Sequence, residues 1–128
     1  MQTGTKAPDD VIYKILSASE WEAALAAGSY RGSEDDRRDG FIHLSNGAQL
    51  DGTARKHFAG QTDLVLVAFR SRELGEALRW EPSRGGALFP HLYGALDPTS
   101  ALWTRALTPD ADGVPQVAAA RRAAGDDA

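Results

Sequence analysis

The sequence predicts a single α+β domain, on the strength of three observations. Two helical periodicities fall in the first half of the chain, at Ser19 to Ala27 and between Asn46 and Gly60. Extended runs crowd into the second half, at 64–70, 78–81, 88–96 and 100–108. Helices segregated from strands in this way argue against a parallel sheet built from alternating β and α units. A chain of 128 residues is long enough to bury one sizeable core and too short for a catalytic domain plus a separate regulatory one.

Taken in order, residues 1–10 are polar and read as a flexible N-terminus, with the folded domain spanning 11–108. Val11 to Leu16 is a β-rich run that places Tyr13 and Ile15 on one face and Ile12, Lys14 and Leu16 on the other. Ser19-Glu20-Trp21-Glu22 matches a capping box, in which serine and glutamate each satisfy an otherwise unpaired amide. Trp21, Ala24 and Leu25 then form an apolar stripe, and Gly28 ends the helix. Residues 29–40 are charged and lack apolar periodicity, which predicts a solvated loop or a flap over a site.

The stretch Phe41-Ile42-His43-Leu44-Ser45 alternates. Ile42 and Leu44 share one face, and Phe41, His43 and Ser45 share the other. Leu50, Ala54, His57 and Phe58 make the apolar side of a second helix that Ser45 or Asn46 would cap, with His57 at its boundary. Leu64 to Arg70 is almost wholly apolar, as in a strand covered on both faces. Arg72 to Ala77 reads as a turn or one loose helical turn. The Ser83-Arg84-Gly85-Gly86 connection then predicts a hairpin between Leu78-Arg79-Trp80-Glu81 and the run from Leu88 to Leu96. Pro90 favours an edge position for the second of these strands. Ser100 to Thr108 gives the last strand, and the Asp, Gly, Pro and Ala of 109–128 read as a flexible C-terminal tail outside the core, with at most a weak helix through Val117 to Ala124.

Composition narrows the function. The net charge of −4 and the lack of a basic stripe argue against nucleic acid as partner. With no cysteine, a disulfide framework, a thiolate metal site and a cysteine nucleophile are all excluded. No apolar run has the length of a membrane span, and residues 1–10 lack a signal-peptide core, so the expectation is a cytoplasmic protein, a monomer or weak homodimer, with no membrane partner.

Chemistry enters through the alternating strands. A hairpin would put Arg79 and Glu81 beside His91 and Tyr93, and His43 and Ser45 would join them from a third strand. Polar groups of this kind rimmed by aromatics suit a small-molecule cleft, with Tyr13 or Lys14 nearby. Each residue has a plainer role open to it: a structural histidine, a surface salt bridge between Arg79 and Glu81, a core tyrosine at Tyr93. His43, His91 and Glu81 are also the residue types of a two-histidine, one-carboxylate metal face.

Tyr13-Lys14-Ile15, the Trp21 helix, Asp39-Gly40-Phe41-Ile42-His43-Leu44-Ser45, Leu78-Arg79-Trp80-Glu81 and Phe89-Pro90-His91-Leu92-Tyr93-Gly94 together resemble the bacterial domain of unknown function 952 family across about residues 11–108. More distantly, the order of elements is similar to the opening half of the RNA 2′-phosphotransferases, NAD-consuming members of the ADP-ribosyltransferase fold. That resemblance implies two small packed, mostly antiparallel sheets with an NAD cleft between them. It further implies an enzyme of ADP-ribosyl transfer or glycohydrolysis acting on a small molecule or protein. Under it, the catalytic residues are His43, holding hydroxyls, Glu81, supporting a developing positive charge on a sugar, and Tyr93, stacking on a planar ring. Tyr13, Lys14, Ser45, Arg79 and His91 would bind the ligand. Where the phosphotransferases carry histidine and glycine after the first-strand tyrosine, this chain has Lys14 and Ile15, and it lacks their basic surface. A small ligand-binding module without catalysis is the alternative.

Overall fold

The computed structural model describes residues 11–125. Residues 1–10, expected as a flexible N-terminus, and 126–128 lie outside the described residues.

Two antiparallel sheets make the frame. Strand β1 (Val11–Ser17) lies between the two-residue β3 (Ser45–Asn46) and β4 (Leu64–Arg70), and β7 (Ala101–Leu107) closes the far side of β4. The second sheet has β6 (Leu88–Leu92) at its centre, flanked by β2 (Ile42–His43) and β5 (Leu78–Pro82). The expected pair of small antiparallel sheets is therefore present. The run read as one strand at 41–45 is divided: residues 42–43 pair with Leu92 and His91, and residues 45–46 pair with Tyr13 and Ile12. Leu44 is the pivot, buried, with its N–H donated to the Pro90 carbonyl at 3.1 Å.

The central position of β6 corrects the edge expected from Pro90. The strand on that side is only two residues long, and what Leu44 requires of Pro90 is its carbonyl, so the missing N–H is not called on.

Alternation along β1 and β4 sorts the core into two layers. Ile12, Leu16, Val65, Val67 and Phe69 face the second sheet and pack with Ile42, Leu92 and Leu96, while helix α1 (Ala18–Ala27) adds Trp21 and Ala24. Tyr13, Ile15, Leu64, Leu66 and Ala68 face the other way, against Leu50 and Ala54 of α3 (Leu50–Phe58) and Val117 and Ala120 of α4 (Val117–Ala123).

Three local readings shift. The α1 cap is Ser17, whose hydroxyl accepts from the Glu20 N–H at 3.1 Å, in place of Ser19; Gly28 ends the helix as expected, at φ 78°. Within the 29–40 loop, residues Glu34–Asp39 form a short helix, α2. Residues 109–125 do not stand outside the core: Val114, Val117 and Ala120 are buried, and Pro109 bridges to Pro115. Among the described residues no helix is long and apolar enough to cross a membrane.

Candidate functional site

The site begins with a buried cation. Lys14 shares a β1 face with Ile12 and Leu16, so its ammonium is carried into the layer between the sheets and must find a counter-charge there. Asp36 supplies it. Ser33 and Asp36 form a reciprocal capping box, with the Asp36 N–H donating to the Ser33 hydroxyl at 3.1 Å and the Ser33 N–H to Asp36 Oδ2 at 2.9 Å. This cap fixes α2 with one acidic side chain turned inward, 2% exposed.

Asp36 is a hub. Oδ2 accepts from Lys14 Nζ at 2.8 Å, and Oδ1 lies 2.6 Å from His43 Nδ1 and accepts the His43 N–H at 3.2 Å. Lys14 also donates to the His43 carbonyl at 3.0 Å. Burial alone would raise the Asp36 carboxyl, but the His43 hydrogen bond, the Lys14 charge and the Ser33 amide hold it well below the usual carboxylate range. On its other edge, His43 Nε2 lies 3.0 Å from Asp39 Oδ2. Donation to both carboxylates at once requires a proton on each ring nitrogen.

The hairpin supplies the second cluster. Register sets Arg79 opposite His91 and Glu81 opposite Phe89. His91 is 4% exposed, and its Nδ1 lies 2.7 Å from Glu81 Oε1; the Tyr93 hydroxyl donates to the same oxygen at 2.7 Å. The His91 and Tyr93 hydrogen bonds lower the Glu81 pKa, and that carboxylate in turn raises Tyr93. The Arg79 guanidinium stands 5.2 Å above the Tyr93 ring. Phe41 joins the clusters, stacked on His91 at 4.0 Å between centroids and tilted against His43 at 4.6 Å.

A cleft of about 500 Å³ opens beside these groups, within the range of about 300–1,000 Å³ typical of small-molecule sites. Of the residues expected in the site, Lys14, His43, Ser45 and His91 line it. Ser45 spends its hydroxyl on Thr53, 2.8 Å away. Arg79, Glu81 and Tyr93 are absent from the lining and connect to it through His91. Tyr13 borders the cleft, but its ring belongs to the second core, 6.0 Å from the Trp103 ring and beneath Arg121, because odd-numbered β1 residues face away from the second sheet. His57 is exposed on α3 at the cleft border.

The metal alternative is not assembled. Among the described residues no group of three or more histidine or carboxylate side chains converges to hold an ion. His43 faces Asp36 and Asp39, and His91 and Glu81 face each other.

Asp36 and Asp39 lie outside the expected site set, whereas Phe41 stands on the expected face with His43. The signal for Asp36 is Ser33-x-x-Asp36 four residues before Gly40, a cap pattern that the missing apolar stripe conceals.

The model of the family described as "Protein of unknown function (DUF952)" matches residues 15–104. The chain belongs to the DUF952 family. Among solved structures, the crystal structure of protein CC0527 from Caulobacter crescentus is similar at 54% identity and a TM-score of 0.83, covering 85% of this chain and 96% of that one. The solution NMR structure of CC0527 is also 54% identical, with a TM-score of 0.77 over 85% of this chain and 94% of that one. No curated protein matches the chain. The α+β architecture is thus a DUF952 architecture, shared with CC0527.

Proposed function

We propose that the cleft is the active site of a small-molecule enzyme that breaks an N-glycosidic bond, by ADP-ribosyl transfer or by glycohydrolysis. The observation that carries this reading is the Glu81–His91 pair. Glu81, kept ionised by its two hydrogen bonds, accepts from Nδ1 and leaves Nε2 as the basic nitrogen. Nε2 has no hydrogen-bond partner among the described residues, and His91 lines the cleft. Phe41 fixes the imidazole plane by stacking on it.

In such a reaction the bond between the sugar carbon and the leaving nitrogen breaks, the nitrogen keeping the electron pair. The oxygen of water or of an acceptor hydroxyl bonds to that carbon and gives its proton to His91 Nε2. The carboxylates around the cleft favour the positive charge that builds on the sugar. His43, clamped by Asp36 and Asp39, is a positioning residue that keeps β2 against α2.

NAD fits in part. Its pyridinium ring and ribose suit an aromatic and carboxylate-rich wall. Its diphosphate does not suit the lining, where Lys14 and Arg38 are both already engaged by carboxylates.

The test is release of free nicotinamide from NAD and from the nicotinamide riboside cation, followed by chromatography. His91→Ala should lower the release by about 100-fold or more. Glu81→Gln should lower it less and displace its pH profile. A folded wild-type protein that releases nothing from either compound defeats the enzyme reading. Saturable binding without release would assign the cleft to a ligand-binding module.

A further inference from the structure

We propose that the cleft selects a cationic, unphosphorylated N-riboside over a dinucleotide, an inference that rests on the N-glycosidic reading and narrows its substrate class. Five carboxylates, Glu20, Glu34, Asp35, Asp36 and Asp39, line the cleft against two permanent cations, Lys14 and Arg38. Both cations already face carboxylates, Lys14 in a buried pair and Arg38 in exposed ones. Lys14 Nζ is 2.8 Å from Asp36 Oδ2, and Arg38 reaches Asp35 at 3.0 Å and Asp39 at 3.4 Å.

The neighbouring cations do not repair this. Arg37 donates to the Gly32 carbonyl at 2.6 Å and Arg79 covers the Tyr93 ring; neither borders the cleft. The first turn of α2 carries Glu34, Asp35 and Asp36, which cancels any attraction of its amides for an anion.

Charge alone would describe only an acidic surface. The independent sign of a ligand is His91, 4% exposed, with Glu81 on one nitrogen and the other without a partner among the described residues, at the wall of the same cleft. That nitrogen is not sealed in the core, so a polar group entering the cleft can pair with it. A neutral ribose bearing a cationic base offers hydroxyls to that nitrogen and positive charge to the carboxylates. A diphosphate would bring two negative charges to the same walls, where partial burial strengthens the repulsion.

The experiment is calorimetric titration of the full chain with nicotinamide riboside and, separately, with NAD, at low and at high salt. The riboside should bind about tenfold more tightly than NAD at low ionic strength, with the gap closing as salt screens the carboxylates. Glu34→Lys, on the exposed first turn of α2, should narrow the preference several-fold while leaving the circular dichroism spectrum unchanged. NAD binding as tightly as the riboside, or more so, overturns the charge selection, while nicotinamide release would still uphold the N-glycosidic reading. Binding of neither compound by folded protein overturns both. Riboside preference without release upholds the selection and removes the enzyme.

Discussion

Lys14 places a charge where its neighbours Ile12 and Leu16 place hydrocarbon, and it is tolerable because Asp36 and the His43 carbonyl receive its protons. Removing one partner of such a pair costs more than the pair contributes, since the other charge stays buried. Lys14→Met should therefore lower the unfolding free energy by about 3–5 kcal/mol, read from urea denaturation at neutral pH. The acid behaviour follows from the depressed Asp36 carboxyl. A folded value below the unfolded one of about 3.9 contributes stability that is present above that pH and lost as pH falls through the folded value. Lys14→Met weakens that depression, so its acid unfolding should begin at higher pH than in the wild type. An acid transition that stays in place would detach Asp36 from Lys14.

Among the elements, α2 is the one that organises the site and the one that periodicity could not show. Its anchor is a single buried carboxylate where a stripe of apolar residues is the usual signal. The entry to α2 is tight. Gly32 has φ +106°, and a Cβ there would come within 2.7 Å of the Asp36 Cβ. Gly32→Ala should destabilise the protein by about 1–3 kcal/mol and loosen the segment around Asp36, as seen in thermal melts and in amide exchange across 33–40. Helices α1 and α3 and strands β1, β4 and β7 were legible because they carry apolar patterns. Helix α1 was read one residue late, since Ser17 and Ser19 each stand three before a glutamate; β1 ends at Ser17, and the Ala18 N–H is taken by the Asp63 carbonyl, so Ser17 is the cap. The hairpin was legible from its glycines and the shared face from alternation, and the observed register brings Arg79, Glu81, His91 and Tyr93 together. Which of them border the cleft was not legible, because that depends on how the hairpin is tilted against α2 and α3.

Across the whole molecule, the C-terminal segment is the largest departure from the sequence reading. Its alanines, prolines and aspartates have the composition of a tail, yet Val114, Val117 and Ala120 complete the second core. Arg121 adds a hydrogen bond to the Gly47 carbonyl at 3.3 Å and stands 5.0 Å over the Tyr13 ring. A chain ending at Asp112 would expose the faces of Tyr13, Leu50 and Leu107 that this segment covers. At about 1.5–3 kcal/mol for each valine, the loss is on the order of 4 kcal/mol. Calorimetry should show Tm falling by roughly 10–25 °C. A truncated chain that melts with the wild type would return the segment to the status of an appendage.

Leu44 joins two sheets with one residue. His43 travels with the second sheet, and Lys14, whose ammonium rests on the His43 carbonyl and on Asp36, travels with the first. The two sheets are thus stitched beside the cleft by peptide and by charge together. Any parting of the sheets would have to uncover the ammonium and its carboxylate in the same movement, so the wall of the cleft and the keystone of the fold are one place.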